Sequence, residues 1–255
     1  MYKSREHYLE VISILAERDF KVRYRNSFLG FFWSLLNPLA YMVILTLVFS
    51  ILLRTNIPNF AAWILLGLLI WRFFAVGTSQ ALGCILGNPS LVTKVYLPRY
   101  IIVLSNNLAN LMGTTLEFLT LLPLLVLLGV NLTAYALFIG PILVMEFLLI
   151  FALSLSLSSL NVKYRDLYQI WDIVIQLGFW LSPIVYDPSL IPSRVRFLYS
   201  LNPVTRLVDT TRNIFLLNTL PSLFDIAAVM ISVGILLLIG FLTFRRLESR
   251  MAEEL

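Results

Sequence analysis

The 255-residue sequence has one cysteine, one histidine and few charges: Asp, Glu, Lys and Arg make up 13% of it, against roughly a quarter in a soluble domain. With Cys84 alone, neither an internal disulfide nor a Cys-rich metal site can form, and its apolar, Gly-rich surroundings fit packing better than reactivity. With His7 alone, a His-based zinc site lacks a second ligand and a Ser/His/Asp triad within the membrane lacks its base. His7 itself, in a charged stretch, reads as a solvated surface residue. Phosphate-binding patterns are missing too: neither G-x-x-x-x-G-K-[ST] nor a G-x-G-x-x-G after a strand occurs. Any nucleotide-driven work done through this chain must draw its energy from another subunit.

Apolar residues, by contrast, make up 59% of the chain, and they come in runs long enough to cross a hydrocarbon core of about 30 Å. One all-α integral-membrane domain is expected. Six transmembrane helices can be drawn, at about 30–53, 61–86, 100–128, 134–160, 168–186 and 224–244. An even number puts both termini on one side. Thirteen of the Lys and Arg residues fall on that side, among them Lys3, Arg5, Lys94, Arg99, Lys163, Arg245, Arg246 and Arg250. Five, namely Arg54, Arg194, Arg196, Arg206 and Arg212, fall opposite, and Arg72 lies within a span. Basic residues flank spans on the cytoplasmic side, so the termini and the segments near 87–99 and 161–167 are assigned there. The net charge of +5 is then a topology signal and an attraction to anionic lipids, and no nucleic-acid partner is expected. The charged N-terminus has no short apolar h-region and is not expected to be a cleavable signal peptide.

Residues 1–29 read as a unit of their own ahead of the membrane domain at 30–255. Tyr8, Val11, Ile12 and Leu15 recur at i, i+3, i+4 and i+7; farther on, Arg18, Lys21 and Arg25 share one face while Phe20, Tyr24 and Phe28 share another. This is the pattern of an amphipathic helix in the membrane interface. Between the last two spans, residues 187–221 carry too many apolar groups for a solvated loop. Pro192 and Pro203 divide them into short helices, at about 187–217, expected to be re-entrant in the outer leaflet.

Charges inside a bilayer are costly and therefore informative. Glu117 and Glu146 are expected to be ion-paired or hydrogen-bonded within the bundle, or else to line a substrate path. Arg72, Glu117, Glu146 and Asp172 are expected to pair with one another or to face a wet cavity, and Arg72, which follows Trp71, is alternatively expected to snorkel toward the outer interface. With no histidine beside them and no metal-ligand spacing, these residues suggest no reaction. Tyr41 and Phe49 in the first span, and Trp171, Phe179, Trp180 and Tyr186 in the fifth, read as interface belts and packing, or as the wall of a conduit on whose faces sugar rings would slide.

Two cytoplasmic segments stand out. Pro89 and Pro98 bracket room for a short helix that Asn88 or Ser90 can cap. Its apolar Leu91, Val92, Val95 and Leu97, with basic Lys94 and Arg99, suit docking into a groove on another protein. Tyr164, Arg165 and Asp166 form a short charged connection ahead of the fifth span, a second contact or a gate.

Taken in order, Arg23-Tyr24-Arg25-Asn26-Ser27-Phe28-Leu29-Gly30, Trp33-Ser34-Leu35-Leu36-Asn37-Pro38, the stretch at 67–71, the segment at 88–99, Tyr164-Arg165-Asp166, Ser182-Pro183-Ile184-Val185-Tyr186 and Leu201-Asn202-Pro203 resemble the permease subunits of type 2 ABC exporters that move O-antigen, capsule or teichoic-acid polymers. The likeness covers nearly the whole chain. It implies a permease that is not an enzyme, dimerises around a central conduit and moves a lipid-linked polysaccharide out across a bacterial cytoplasmic membrane. It also implies two separate ATPase subunits that bind ATP and Mg, this chain holding no cofactor. On the same likeness, the helix around Arg18, Lys21 and Arg25 is an interface helix, and 88–99 is a coupling helix seated in the ATPase. Tyr164, Arg165 and Asp166 are a gate, the helices at 187–217 close the pore, and the first and fifth spans wall the conduit. Arg72 and Glu146 match no pattern of that family. The alternative is an exporter of a small lipid or drug with the same architecture, which would show a lateral, lipid-facing cleft. An intramembrane enzyme would need convergent carboxylates and a metal, and an ion-coupled transporter would need interrupted half-helices.

Overall fold

The computed structural model describes residues 5–25, 30–55, 57–95, 97–249, 251 and 254, and among them the chain is helical with no strand. Lys3, Asn26, Ser27, Phe28, Leu29 and Arg250, named above, and Tyr96 within the segment at 88–99 lie outside the described residues. The helices are α1 (Arg5–Tyr24), α2 (Phe32–Thr46), α3 (Phe60–Cys84), α4 (Pro89–Lys94), α5 (Tyr100–Leu127), α6 (Ile139–Lys163), α7 (Leu167–Leu181), α8 (Ser193–Leu201), α9 (Pro203–Leu216) and α10 (Leu223–Glu248). A π-helical turn, Leu47–Leu52, extends α2, and 3-10 turns at Ala134–Phe138 and Pro188–Leu190 precede α6 and α8.

Among the described residues, five stretches are long and apolar enough to cross a membrane: Phe32–Ser50, Phe60–Cys84, Tyr100–Leu127, Ala134–Lys163 and Leu223–Glu248. The expected fifth span at 168–186 is shorter. Its helix has 15 residues, about 22 Å at 1.5 Å per residue. It stops where Pro183 drives Ser182 out of the α region, to φ −93° and ψ 141°.

The hub is α3, most of which is buried. Side chains from three neighbours reach its carbonyls: Arg212 Nε donates to Trp63 O at 3.2 Å, Asn110 Nδ2 to Phe73 O at 3.1 Å and Asn161 Nδ2 to Leu82 O at 2.8 Å. Such interhelical bonds hold helices together where lipid removes the hydrophobic drive to associate. Another contact follows from Pro38 in α2. Without an N–H it leaves the carbonyl four residues back, that of Ser34, free, and Arg72 Nη1 of α3 donates to that carbonyl.

The segment between α7 and α10 is folded tightly, as its apolar content predicts. Pro192 and Pro203 stand at the starts of α8 and α9, and Asn202 caps α9 by accepting from Val204 N at 3.0 Å. Val204, Leu207, Val208, Ile214 and Phe215 of α9 are buried, and Arg206 pairs with Asp225 at the start of α10. Beyond that pair, α10 packs on α6 so closely that a Cβ on Gly240 would stand 2.3 Å from the Ala152 carbonyl oxygen. At its far end a second, smaller core joins Cys84, Val92, Ile102, Val162, Phe244 and Met251.

Candidate functional site

The six residues of α4 are too few to hold a helix in water, and both ends of the segment are tied down. Asn88, ahead of α4, donates to Cys84 O at 2.9 Å and accepts from Arg18 Nη2 at 3.1 Å; Arg18 also holds Asp19 at 2.7 Å. Past the other end, Arg99 donates to the Glu248 carbonyl in the last turn of α10, where a cation suits the helix dipole. Between these ties Val92 is 6% exposed in the second core, with Leu91 packed at its edge. Its methyl groups seat α4 on the ends of the bundle, and Val92 also borders a groove on the other side of the segment. Lys94 and Val95 remain exposed, and Lys94, Leu97 and Arg99 line that groove, of about 730 Å³, together with Tyr8 and Arg245.

Arg18 is partnered inward, whereas Lys21 and Arg25 stay exposed, Lys21 pairing with Glu17 at 2.6 Å. Tyr164, Arg165 and Asp166 form an exposed corner between α6 and α7, with Lys163 Nζ 5.1 Å from the Tyr164 ring.

Farther into the bundle, α2, α3 and α7 enclose a cleft of about 380 Å³. It brings together Tyr41, Phe179 and Trp180, as the aromatic pattern suggested, and adds Trp71, Asn37 and Gln176. Phe179 lies edge-on to Trp71 at 6.1 Å and to Trp180 at 5.3 Å. Gly178 is required here, because a Cβ would stand 2.8 Å from the Trp71 ring. Three other expected wall residues lie elsewhere. Phe49 packs against the main core, 6.3 Å from Phe60, and Trp171 points inward, donating to Thr78 Oγ1 at 3.1 Å. Tyr186 closes the turn after α7 by donating to Trp180 O at 3.1 Å and meeting Tyr199 Oη at 3.0 Å.

The family model for ABC-2 type transporters matches residues 10–216, from α1 through α9. The chain belongs to the ABC-2 type transporter family. It is similar to the O-antigen export system permease protein RfbA of Klebsiella pneumoniae, at 30% identity over 96% of this chain and 94% of that protein. RfbA of Myxococcus xanthus is 30% identical over 97% and 96%, and the polysialic acid transport protein KpsM of Escherichia coli 21% identical over 94% of each. The transporter is thus a multi-pass membrane protein whose relatives are named as permeases and transport proteins.

Of its intramembrane charges, Glu117 is ion-paired, as the sequence reading expected. Arg72 is not free to snorkel: besides Ser34 O, it pairs with Glu117 at 3.4 Å. Glu146 is fully buried, yet neither carboxyl oxygen has a partner among the described residues. Arg212, assigned to an outer loop, is 4% exposed. Its Nη1 and Nη2 donate to Pro183 O at 2.7 Å and Ile184 O at 2.9 Å, and its guanidinium lies 3.2 Å from the Trp63 ring centroid. Gly67 makes room for it, since a Cβ there would come within 2.6 Å of Nη2. Among the described residues no three His, Cys, Asp or Glu side chains converge as a metal site would need. Asn37 and Gln176 were missed as cleft residues, although each stands one turn before an aromatic, Tyr41 and Trp180, on its own helix.

Proposed function

We propose that this chain is the membrane permease of an ATP-driven exporter that moves a lipid-linked polysaccharide outward across a bacterial cytoplasmic membrane. Two copies form the conduit and two ATPase subunits drive it. In this reading α7 and the turn after it make a sixth span, both termini and α4 face the cytoplasm, and α8 and α9 fold back into the outer leaflet. Relatives of near-equal length named for O-antigen and for polysialic acid support a polysaccharide cargo.

The observation that carries the reading is the cleft of Tyr41, Trp71, Phe179 and Trp180. Aromatic faces stack on sugar C–H faces without fixing each ring's identity, so a row of them lets a polymer advance. Tyr41 and Trp180 are 52% and 58% exposed, so a second copy presenting its own α2 and α7 would complete the wall. ATP-driven closure of the motor would push α4, and the ties at Asn88 and Arg99 carry that push to α1, α3 and α10 as rigid bodies. Replacing Tyr41 and Trp180 with Ala together is expected to lower export about tenfold while the assembled complex and its ATPase rate persist. Export at the unmodified rate would overturn the proposal.

A further inference from the structure

A second cavity, of about 510 Å³, lies between α1, α2, α3 and α5 and shares Asn37 and Arg72 with the aromatic cleft. Its character is different. Arg23 and Arg72 supply two positive charges and Glu117 one negative, so the chamber carries one unbalanced positive charge among apolar helices. Such a charge is expensive there unless something neutralises it. Arg72 has Glu117, but Arg23 is held by neutral groups, the side-chain oxygens of Gln80 and Asn110, the latter at 3.3 Å. A guanidinium has five N–H donors; among the described residues, Arg23 and Arg72 each spend two on these partners. The Tyr24 hydroxyl on the same wall is buried with no partner among the described residues. Among the described residues the chamber therefore holds spare donors, a spare hydroxyl and a charge deficit of one anion.

We propose that this chamber binds the phosphate of a lipid headgroup, with Arg23 as its principal ligand and Arg72 and Tyr24 completing the contacts. Phosphate, like carboxylate, accepts paired guanidinium donors, and its tetrahedral set of oxygens can meet two guanidinium groups and a hydroxyl at once. A lipid, not a free ion, is indicated by the rim: Trp33 lines the chamber, and Phe32, Trp33 and Leu36 of α2 are 67%, 55% and 47% exposed, an open apolar face for a tail. Sharing of Asn37 and Arg72 sets a sugar attached to that phosphate at the entrance of the aromatic cleft. The inference rests on the reading above that the cargo is carried on a lipid.

The test uses the full chain in phosphate-free maltoside micelles and compares three probes: phosphatidic acid, diacylglycerol with the same acyl chains, and inorganic phosphate. Thermal unfolding is expected to shift upward with phosphatidic acid and not with diacylglycerol. Arg23→Gln is expected to weaken phosphatidic acid binding about tenfold, the loss of a charge-assisted bond, and Arg23→Lys to restore part of it. Equal shifts from the two lipids would overturn the proposal without recourse to any variant. So would unchanged binding by a folded Arg23→Gln chain, or inorganic phosphate binding as tightly as the lipid. Loss of polysaccharide export in the Tyr41 and Trp180 variant with no lipid-phosphate binding would leave the conduit standing and remove the chamber. Lipid-phosphate binding without any polysaccharide export would do the reverse.

Discussion

Helices α3 and α7 are both strongly apolar, yet almost every turn of α3 is buried whereas no residue of α7 is. Composition does not separate them. What does is polar attachment: α3 offers the carbonyls of Trp63, Phe73 and Leu82 to side chains from α9, α5 and α6. By contrast, α7 rests on its neighbours through one face, Trp171, Ile175, Gly178 and Phe179, and among the described residues its one side-chain bond to another helix is that of Trp171 to Thr78. Between helices in lipid, close packing and hydrogen bonds replace the hydrophobic effect as the source of cohesion. A helix rich in both becomes a fixed hub, and a helix poor in both is left as a wall whose other faces meet lipid or another chain.

The sharpest way to break this contrast is to unfasten the hub. Arg212→Leu leaves the carbonyls of Trp63, Pro183 and Ile184 without their donor and is expected to cost about 4 kcal/mol of stability, read by thermal unfolding in detergent. A loss no larger than that of a surface change would mean α9 is held by its apolar face alone. Next in size is the helix contact at Gly240. Adding a methyl there meets backbone, the Ala152 carbonyl oxygen, so Gly240→Ala is expected to cost about 2–3 kcal/mol. Gly234→Ala, with open space around its Cβ, serves as the neutral partner.

The coupling segment holds the same contrast within a few residues. Val92 is buried and Val95 is 45% exposed, though both are valines on one short segment. Val92→Asp is expected to destabilise the cytoplasmic end by about 2 kcal/mol, by setting a carboxylate in the second core. Val95→Asp is expected to leave unfolding unchanged and to weaken association with the ATPase in a pull-down of the assembled complex. Equal stability losses at the two positions would erase the distinction between seat and docking face.

Much of this was legible from sequence. Hydrophobic run lengths located the five long helices, and Pro192 and Pro203 marked the starts of α8 and α9, because a ring that fixes φ and removes a donor acts locally. Pairing among Arg72, Glu117, Glu146 and Asp172 was legible but not which two meet, since Arg72 and Glu117 are 45 positions apart and the carbonyl that orients Arg72 is freed by a proline in a third helix. Arg212 likewise read as an outer-loop cation because its acceptors are backbone atoms, which carry no sequence signature. Val92 was ambiguous for another reason: an apolar residue on a helix of six residues suits a seat and a docking face equally, and periodicity has too few turns to choose. The aromatic cleft was half legible. Tyr41, Phe179 and Trp180 were found by type, but Phe49 and Trp171 have the same type and opposite orientation.

The smallest expected effect concerns the carboxylate beside the clamp that fastens α9 to the hub. Asp209 lies 3.6 Å from Arg212, and burial pushes its carboxyl up to about 6 in spite of that guanidinium and of Arg206, with Asp225 and Asp187 adding to the rise. An unfolded aspartate ionises near 4. Between those two values the folded chain keeps a proton that the unfolded chain has released, so this group favours the fold most below about pH 4 and less as pH rises to about 6. The side chain is 39% exposed, and solvent screening holds the change below about 1 kcal/mol. Unfolding measured from pH 4 to 7 is expected to show that decline in the unmodified chain and a flatter profile in Asp209→Asn. Matching slopes would mean that the clamp on α3 works independently of the carboxylate, leaving the three carbonyls and the Trp63 ring as its whole support.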